Sequence, residues 1–105
     1  MVAEIKSLSE FTGQINKPNV TVVDFHATWC GPCKQIAPFV DKLAKEFTDA
    51  DFVKVDVDEV TDAAAECGVR AMPTFIIFRG GEKVSEVVGA NPAALKAAVA
   101  SAVKA

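Results

Sequence analysis

Val20-Thr21-Val22-Val23-Asp24-Phe25-His26 runs through Ala27-Thr28-Trp29 into Cys30-Gly31-Pro32-Cys33, and Ile36, Phe39, Val40, Leu43 and Phe47 follow at helical spacing. The first segment is nearly continuous in apolar and β-branched residues, the pattern of a central strand buried on both faces. The repeat after it is that of one helix face. A buried strand that feeds straight into a helix is half of a βαβ unit, so this stretch predicts an α/β fold around a central sheet. Two features depart from plain packing. Asp24 sets a carboxylate inside the apolar strand, and two cysteines, Cys30 and Cys33, bracket the strand-to-helix turn. Pro38 falls inside the helix, where its missing N–H predicts a kink.

The same reading extends outward in both directions. Val2 to Ile5 is a short strand, and Ser7 with Glu10 forms a capping-box pattern ahead of the helical face Leu8, Phe11, Ile15. Phe52 to Val57 alternates with Lys54, Asp56 and Asp58 as a strand, and a short helix over Val60 to Glu66 ends at Gly68. Thr74 to Phe78 and Lys83 to Val88 flank the Gly80-Gly81 turn as an antiparallel hairpin. Pro92 opens a last helix whose face is Leu95, Val99, Ala102 and Val103. The order β-α-β-α-β-α-β-β-α predicts right-handed crossovers, a parallel core and helices on both faces of a mixed sheet.

A chain of 105 residues fits one domain, 1–105, with a real core. Half the residues are apolar and the net charge is -3, which offers no basic stripe for a nucleic acid. No apolar run approaches the roughly 18 residues of a membrane span. The segment Met1 to Phe11 carries Glu4, Lys6 and Glu10 and lacks the apolar stretch of a secretory signal, so a cytoplasmic location is expected. Three cysteines are an odd count, unlike a secreted disulfide scaffold.

Cys30 falls at a helix N-terminus, where unpaired N–H groups and the helix dipole favour a thiolate, the nucleophilic form of the side chain. Gly31 is expected to let the backbone turn tightly beside it, and Pro32 suits the first helical turn. Cys30 and Cys33 with Cys67 and His26 would also make up a Cys3His zinc set, although Cys67 and His26 lack the close partner that zinc ligands usually have. His26 otherwise reads as packing, and Cys67 as a small residue at a helix end. Asp24 can be a satisfied buried polar group, and Lys54 a surface charge on an alternating strand.

Val22-Val23-Asp24-Phe25-His26-Ala27-Thr28-Trp29-Cys30-Gly31-Pro32-Cys33-Lys34, with Met72-Pro73-Thr74, Lys54 and Gly89-Ala90, resembles the thioredoxin family in its eukaryotic, fungal-like form, whose members are the familiar examples of the Cys-x-x-Cys redox motif. His26 departs from the aromatic residue that many members carry. The resemblance implies the thioredoxin fold, a five-stranded mixed sheet flanked by four helices, with Pro73 cis. It implies protein-disulfide reduction by dithiol–disulfide exchange. Cys30 would be the exposed nucleophile, Cys33 the less exposed resolving thiol, and Asp24 the proton acceptor, with Lys54 modulating its proton affinity. Trp29, Gly31, Pro32, Met72, Pro73, Gly89 and Ala90 would form an apolar surface for substrates. The partners implied are disulfide-containing proteins and the flavoprotein thioredoxin reductase, with no metal or bound cofactor and the chain a monomer.

Two other readings remain open at this level. The chain can be an oxidase or isomerase of the protein disulfide isomerase type, although Pro32 between the cysteines resembles reducing members. It can instead be an interaction module, although a scaffold has no need of two thiols at such a site.

Overall fold

The amphipathic and β-branched segments fold where their periodicity places them, and the computed structural model describes residues 2–105. The order is β1 (Ala3–Ile5), α1 (Leu8–Ile15), β2 (Val20–His26), α2 (Gly31–Glu46), β3 (Asp51–Asp56), α3 (Thr61–Glu66), β4 (Thr74–Arg79), β5 (Glu82–Val88) and α4 (Pro92–Lys104). Side chains cap α1 and α4, whereas α3 starts without one. The Ser7 hydroxyl accepts the Glu10 N–H at 3.1 Å, and the Asn91 amide oxygen accepts the Ala94 N–H at 3.1 Å. Such caps contribute about 1 kcal/mol each.

The strands form one five-stranded sheet in the order β1-β3-β2-β4-β5. β3 runs parallel to both β1 and β2, while β4 runs antiparallel to β2 as well as to β5. The sequence reading confined the antiparallel part to the last hairpin. The difference lies in the third connection. β4 begins beside the end of β2, with Thr74 opposite Phe25, so the chain leaves and re-enters the sheet at the same end. The connection through α3 therefore does not carry the chain back across the length of the sheet, as a parallel return would. The Met72–Pro73 peptide just before β4 is cis, as expected.

Strand alternation divides the core in two. Val20, Val22, Phe52, Phe75 and Ile77 pack against Ile36, Val40 and Leu43 of α2 and Leu95 and Val99 of α4. Val23, Phe25, Val53, Val55, Ile76 and Phe78 pack on the other face, against Phe11 of α1 and Ala63 and Ala64 of α3. Along β2 the row Val20, Val22 continues on the α2 face with Asp24 and His26. Along β3 the row that starts at Phe52 continues with Lys54 and Asp56. The α2-facing layer thus turns from apolar to ionisable at the carboxyl ends of the two central strands, beneath the first turns of α2. Pro38 lies inside α2, which runs as one helix across it.

Candidate active site

Cys30 is the N-cap of α2, with extended backbone, φ -86° and ψ 109°. Its Sγ accepts the Cys33 N–H at 3.1 Å, so one of the orphan donors of the helix start points at sulfur. A thiolate at that atom would take the same hydrogen bond in its stronger, charge-assisted form. Cys30 and Cys33 are joined as a disulfide across a Cα separation of 5.3 Å. Gly31 has no left-handed backbone, and a Cβ placed there would meet nothing within 4 Å. The turn therefore makes no demand for glycine, contrary to the sequence reading. What Gly31 leaves open is the outer surface beside the sulfurs.

The expected difference in exposure between the two cysteines is also absent. Cys30 is 4% exposed and Cys33 6%, because Ala27, Val57 and Met72 pack around the closed disulfide. What distinguishes the two sulfurs is their surroundings. Cys30 has the helix N–H, and Cys33 borders an ionisable cavity.

That cavity, of about 320 Å³, lies under the first turns of α2 and is lined by Asp24, His26, Cys33, Lys34, Ala37 and Lys54 among others. Asp24 is only 7% exposed, and its Oδ1 has no hydrogen-bond partner. Burial pushes its carboxyl up to about 7, against the opposing pull of the Lys54 ammonium, and Asp41 adds to the rise. Lys54 stands opposite Asp24 in the parallel β2–β3 register and is half-buried. At this wall desolvation of the Asp24 carboxyl outweighs the Lys54 charge, and both residues line the same cavity. His26, read as packing, lines the same cavity, and its Nε2 is buried without a partner.

The rim is assembled from distant segments. Met72 packs on the two cysteines, and the Pro73 carbonyl accepts the Gly89 N–H at 2.8 Å, tying the cis-proline loop to the end of β5. Gly89 has φ +97°, a conformation that favours glycine. Ala90, Gly31 and Pro32 are exposed, whereas Pro73 itself is buried. Trp29 is 67% exposed, and its indole N–H donates to Asp58 Oδ2 at 3.0 Å. Two rim residues escaped the sequence reading. Asp58 holds the indole ring, and Val88, opposite Thr74 in the β4–β5 register, adds an exposed apolar side chain. No periodicity could have singled out Asp58, since it follows β3 as an ordinary loop carboxylate.

Cys67 stands apart as the half-buried C-cap of α3, with no disulfide partner. Burial pushes its thiol up, and Glu66 adds to the rise, so the thiolate is disfavoured there. Among the described residues no group of three or more His, Cys, Asp or Glu side chains is placed to hold a metal ion. The Cys3His grouping considered from sequence is therefore not assembled. Cys67→Ala is expected to leave insulin-disulfide turnover within about twofold of the unsubstituted protein, since a protonated thiol is no nucleophile. A severe loss of activity in a folded variant would put Cys67 in the site.

The thioredoxin family model matches residues 2–101. Thioredoxin-1 of Saccharomyces cerevisiae is 52% identical over 101 residues, spanning 96% of this chain and 98% of the yeast protein. The crystal structure of thioredoxin from Trypanosoma brucei brucei superposes with a TM-score of 0.96 at 37% identity, covering 100% of this chain and 93% of that one. A chain from the structural study of thiol resolution in yeast mitochondrial 1-Cys peroxiredoxin via glutathione/thioredoxin systems superposes with a TM-score of 0.91 at 42% identity. That match covers 95% of this chain and 94% of the other.

Proposed function

Because the chain belongs to the thioredoxin family and is a thiol–disulfide oxidoreductase working through Cys30 and Cys33, we propose that Cys30 attacks, Cys33 resolves, and Asp24 takes the proton released in resolution. The Cys30 thiolate attacks one sulfur of a substrate disulfide. The substrate S–S bond breaks, and its other sulfur leaves as a thiolate that is protonated from water. Cys33 then gives its proton to Asp24 through the cavity, and its thiolate attacks Cys30 Sγ. The bond between Cys30 and the substrate breaks, and the second substrate thiolate leaves. The substrate has gained two electrons, and Cys30–Cys33 has become the disulfide described above. A dithiol-regenerating donor of the thioredoxin reductase type must reduce it again.

The observation that carries this assignment is the Asp24 carboxyl, buried in a cavity that Cys33 also lines and held near neutrality. A base with a proton affinity close to the working pH takes a thiol proton and returns it to solvent readily. An ordinary exposed carboxylate would be too weak a base.

Substrates would lie across Trp29, Gly31, Pro32, Met72, Gly89 and Ala90, above the buried Pro73, with an extended segment meeting the backbone at Met72 in the manner of an added strand. Such a surface reads backbone and apolar contact more than side-chain identity, so the substrate class is broad. The similarity to a chain from the peroxiredoxin study brings peroxiredoxin disulfides within that class. The reading takes 1–105 as one thioredoxin domain acting as a monomer. A cytosolic station fits the need for a reducing pool and the free thiol of Cys67.

Cys33→Ser tests the division of labour. With the resolving thiol gone, Cys30 is expected to accumulate as a mixed disulfide with insulin chains or a peroxiredoxin, visible by mass spectrometry and released by dithiothreitol. If no such adduct forms, Cys30 does not make the first attack.

A further inference from the structure

Among the described residues two buried side-chain polar atoms have no hydrogen-bond partner, Asp24 Oδ1 and His26 Nε2. Both residues line the one cavity under α2, together with Cys33. They are two apart on β2, so the strand pleat sends both side chains to the same face. Buried polar atoms are hydrogen-bonded as a rule, and water supplies the bond where the space is polar and roomy enough. A cavity of about 320 Å³ has room for several water molecules, each occupying roughly 30 Å³ in the liquid. His26 thus lines this cavity and carries a buried ring nitrogen for which the protein supplies no partner.

We propose that His26 is a positioning residue for the resolving step: its Nε2 and the Asp24 carboxyl hold a short file of water through which the Cys33 proton reaches Asp24. This rests on the proposed role of Asp24. His26 does not touch the reacting sulfurs and acts through the water it anchors. The imidazole is suited to this because it stays neutral at neutral pH. Burial lowers its proton affinity, and Lys54 adds to that. Asp56, its partner in the β2–β3 register, acts the other way, as do Glu4 from β1 and Glu59 from the loop after β3. Lys34 of α2 and Lys54 of β3 are the cations on the cavity wall. A neutral ring can orient either nitrogen as donor or acceptor to the file. Water anchored by His26 also solvates the ionised Asp24, so removing the anchor leaves that carboxylate less well solvated and raises its pKa.

The test uses the full chain with His26→Phe, which fills the space without a polar atom, and His26→Gln, which keeps a hydrogen-bonding group that does not titrate. Folding of each is checked by its denaturant midpoint. The carboxyl 13C shift of Asp24 is followed in the oxidised protein between about pH 5 and 9, and single-turnover decay of the mixed disulfide is followed over the same range. His26→Phe is expected to move both midpoints upward by about half a pH unit or more and to slow resolution at neutral pH several-fold. His26→Gln is expected to stay close to the unsubstituted protein in both. Unchanged midpoints in His26→Phe overturn the proposal. Equal shifts in Phe and Gln variants also overturn it, because the titrating ring and not its hydrogen bond would then be responsible. Asp24→Asn runs alongside. Slowed resolution in Asp24→Asn with no midpoint shift in His26→Phe removes His26 alone, whereas a normal resolution rate in Asp24→Asn removes the Asp24 role and this inference with it.

Discussion

Replacing Cys30 by Ser is expected to lower disulfide reduction by on the order of a thousandfold or more, the scale of loss when a covalent nucleophile is removed. The geometry gives the reason. Cys30 is the N-cap of α2, and its Sγ is the atom to which the Cys33 N–H points. A thiolate there is stabilised by the hydrogen bond and by the positive end of the helix. A serine hydroxyl fits the same cap, which keeps the fold, but it stays protonated near neutral pH and cannot make the first S–S exchange. The remaining Cys33 is a poor substitute, because it lies within the first turn and lacks that donor. Turnover with insulin as substrate measures the loss, and the denaturant midpoint, compared with that of the reduced unsubstituted protein, verifies that the variant is folded. Activity above about a tenth of the original in a folded Cys30→Ser protein would overturn the assignment of the nucleophile.

The second large effect concerns Asp24 and joins stability to mechanism. Its carboxyl is raised from 3.8 to about 7, first by burial, with Lys54 opposing and Asp41 adding. The folded state therefore holds this proton at pH values where the unfolded chain has released it. Stability from this group is intact below about pH 4, falls as pH rises towards about 7, and stays reduced above that. A shift of about three units corresponds to an upper bound of about 4 kcal/mol. Asp24→Asn removes the penalty but keeps a buried amide that needs partners of its own, so a gain of about 2 kcal/mol is expected at pH 8. Near pH 3, where Asp24 is protonated in both states, the two proteins should differ little. The same variant cannot accept a proton, and decay of the mixed disulfide is expected to slow about a hundredfold, while the first attack by Cys30 changes less. Denaturant midpoints of the oxidised proteins across pH, with single-turnover decay, measure both effects. A variant that is less stable at pH 8 and resolves at the original rate would make Asp24 a structural carboxylate.

These two results separate the sulfurs by environment, not by exposure. In the disulfide both are covered, so solvent access does not assign their roles. The helix-start donor marks Cys30, and the ionisable cavity marks Cys33. Both come from the same turn, since Cys30 caps the helix and Cys33 faces back onto the strand that carries Asp24.

The central strand, the helix after Cys33, the Gly80-Gly81 hairpin and the last helix were legible in the sequence because each buries a face whose period is set by backbone geometry alone. The redox turn was legible for a related reason, since Cys30 and Cys33 are close in sequence and one local structure, a helix N-terminus, places them. Asp24 could be singled out because a carboxylate in an apolar strand is conspicuous without any partner. What only the tertiary structure decided is whatever depends on separate segments meeting. The antiparallel placement of β4 follows from where α3 returns the chain, and β-patterning does not encode strand direction. The register that sets Lys54 opposite Asp24, and the α2 turn that roofs them, turn two charges on separate strands into one cavity. Met72 and Gly89 reach the site through the cis-proline loop and the end of β5, and Asp58 reaches it through the Trp29 indole. His26 shows the limit most clearly. Its place on the strand was readable, but a buried, unpartnered ring nitrogen on a residue that lines the ionisable cavity exists only once β2, β3 and α2 have packed, because burial and hydrogen-bond satisfaction belong to the assembled fold and not to any segment of it.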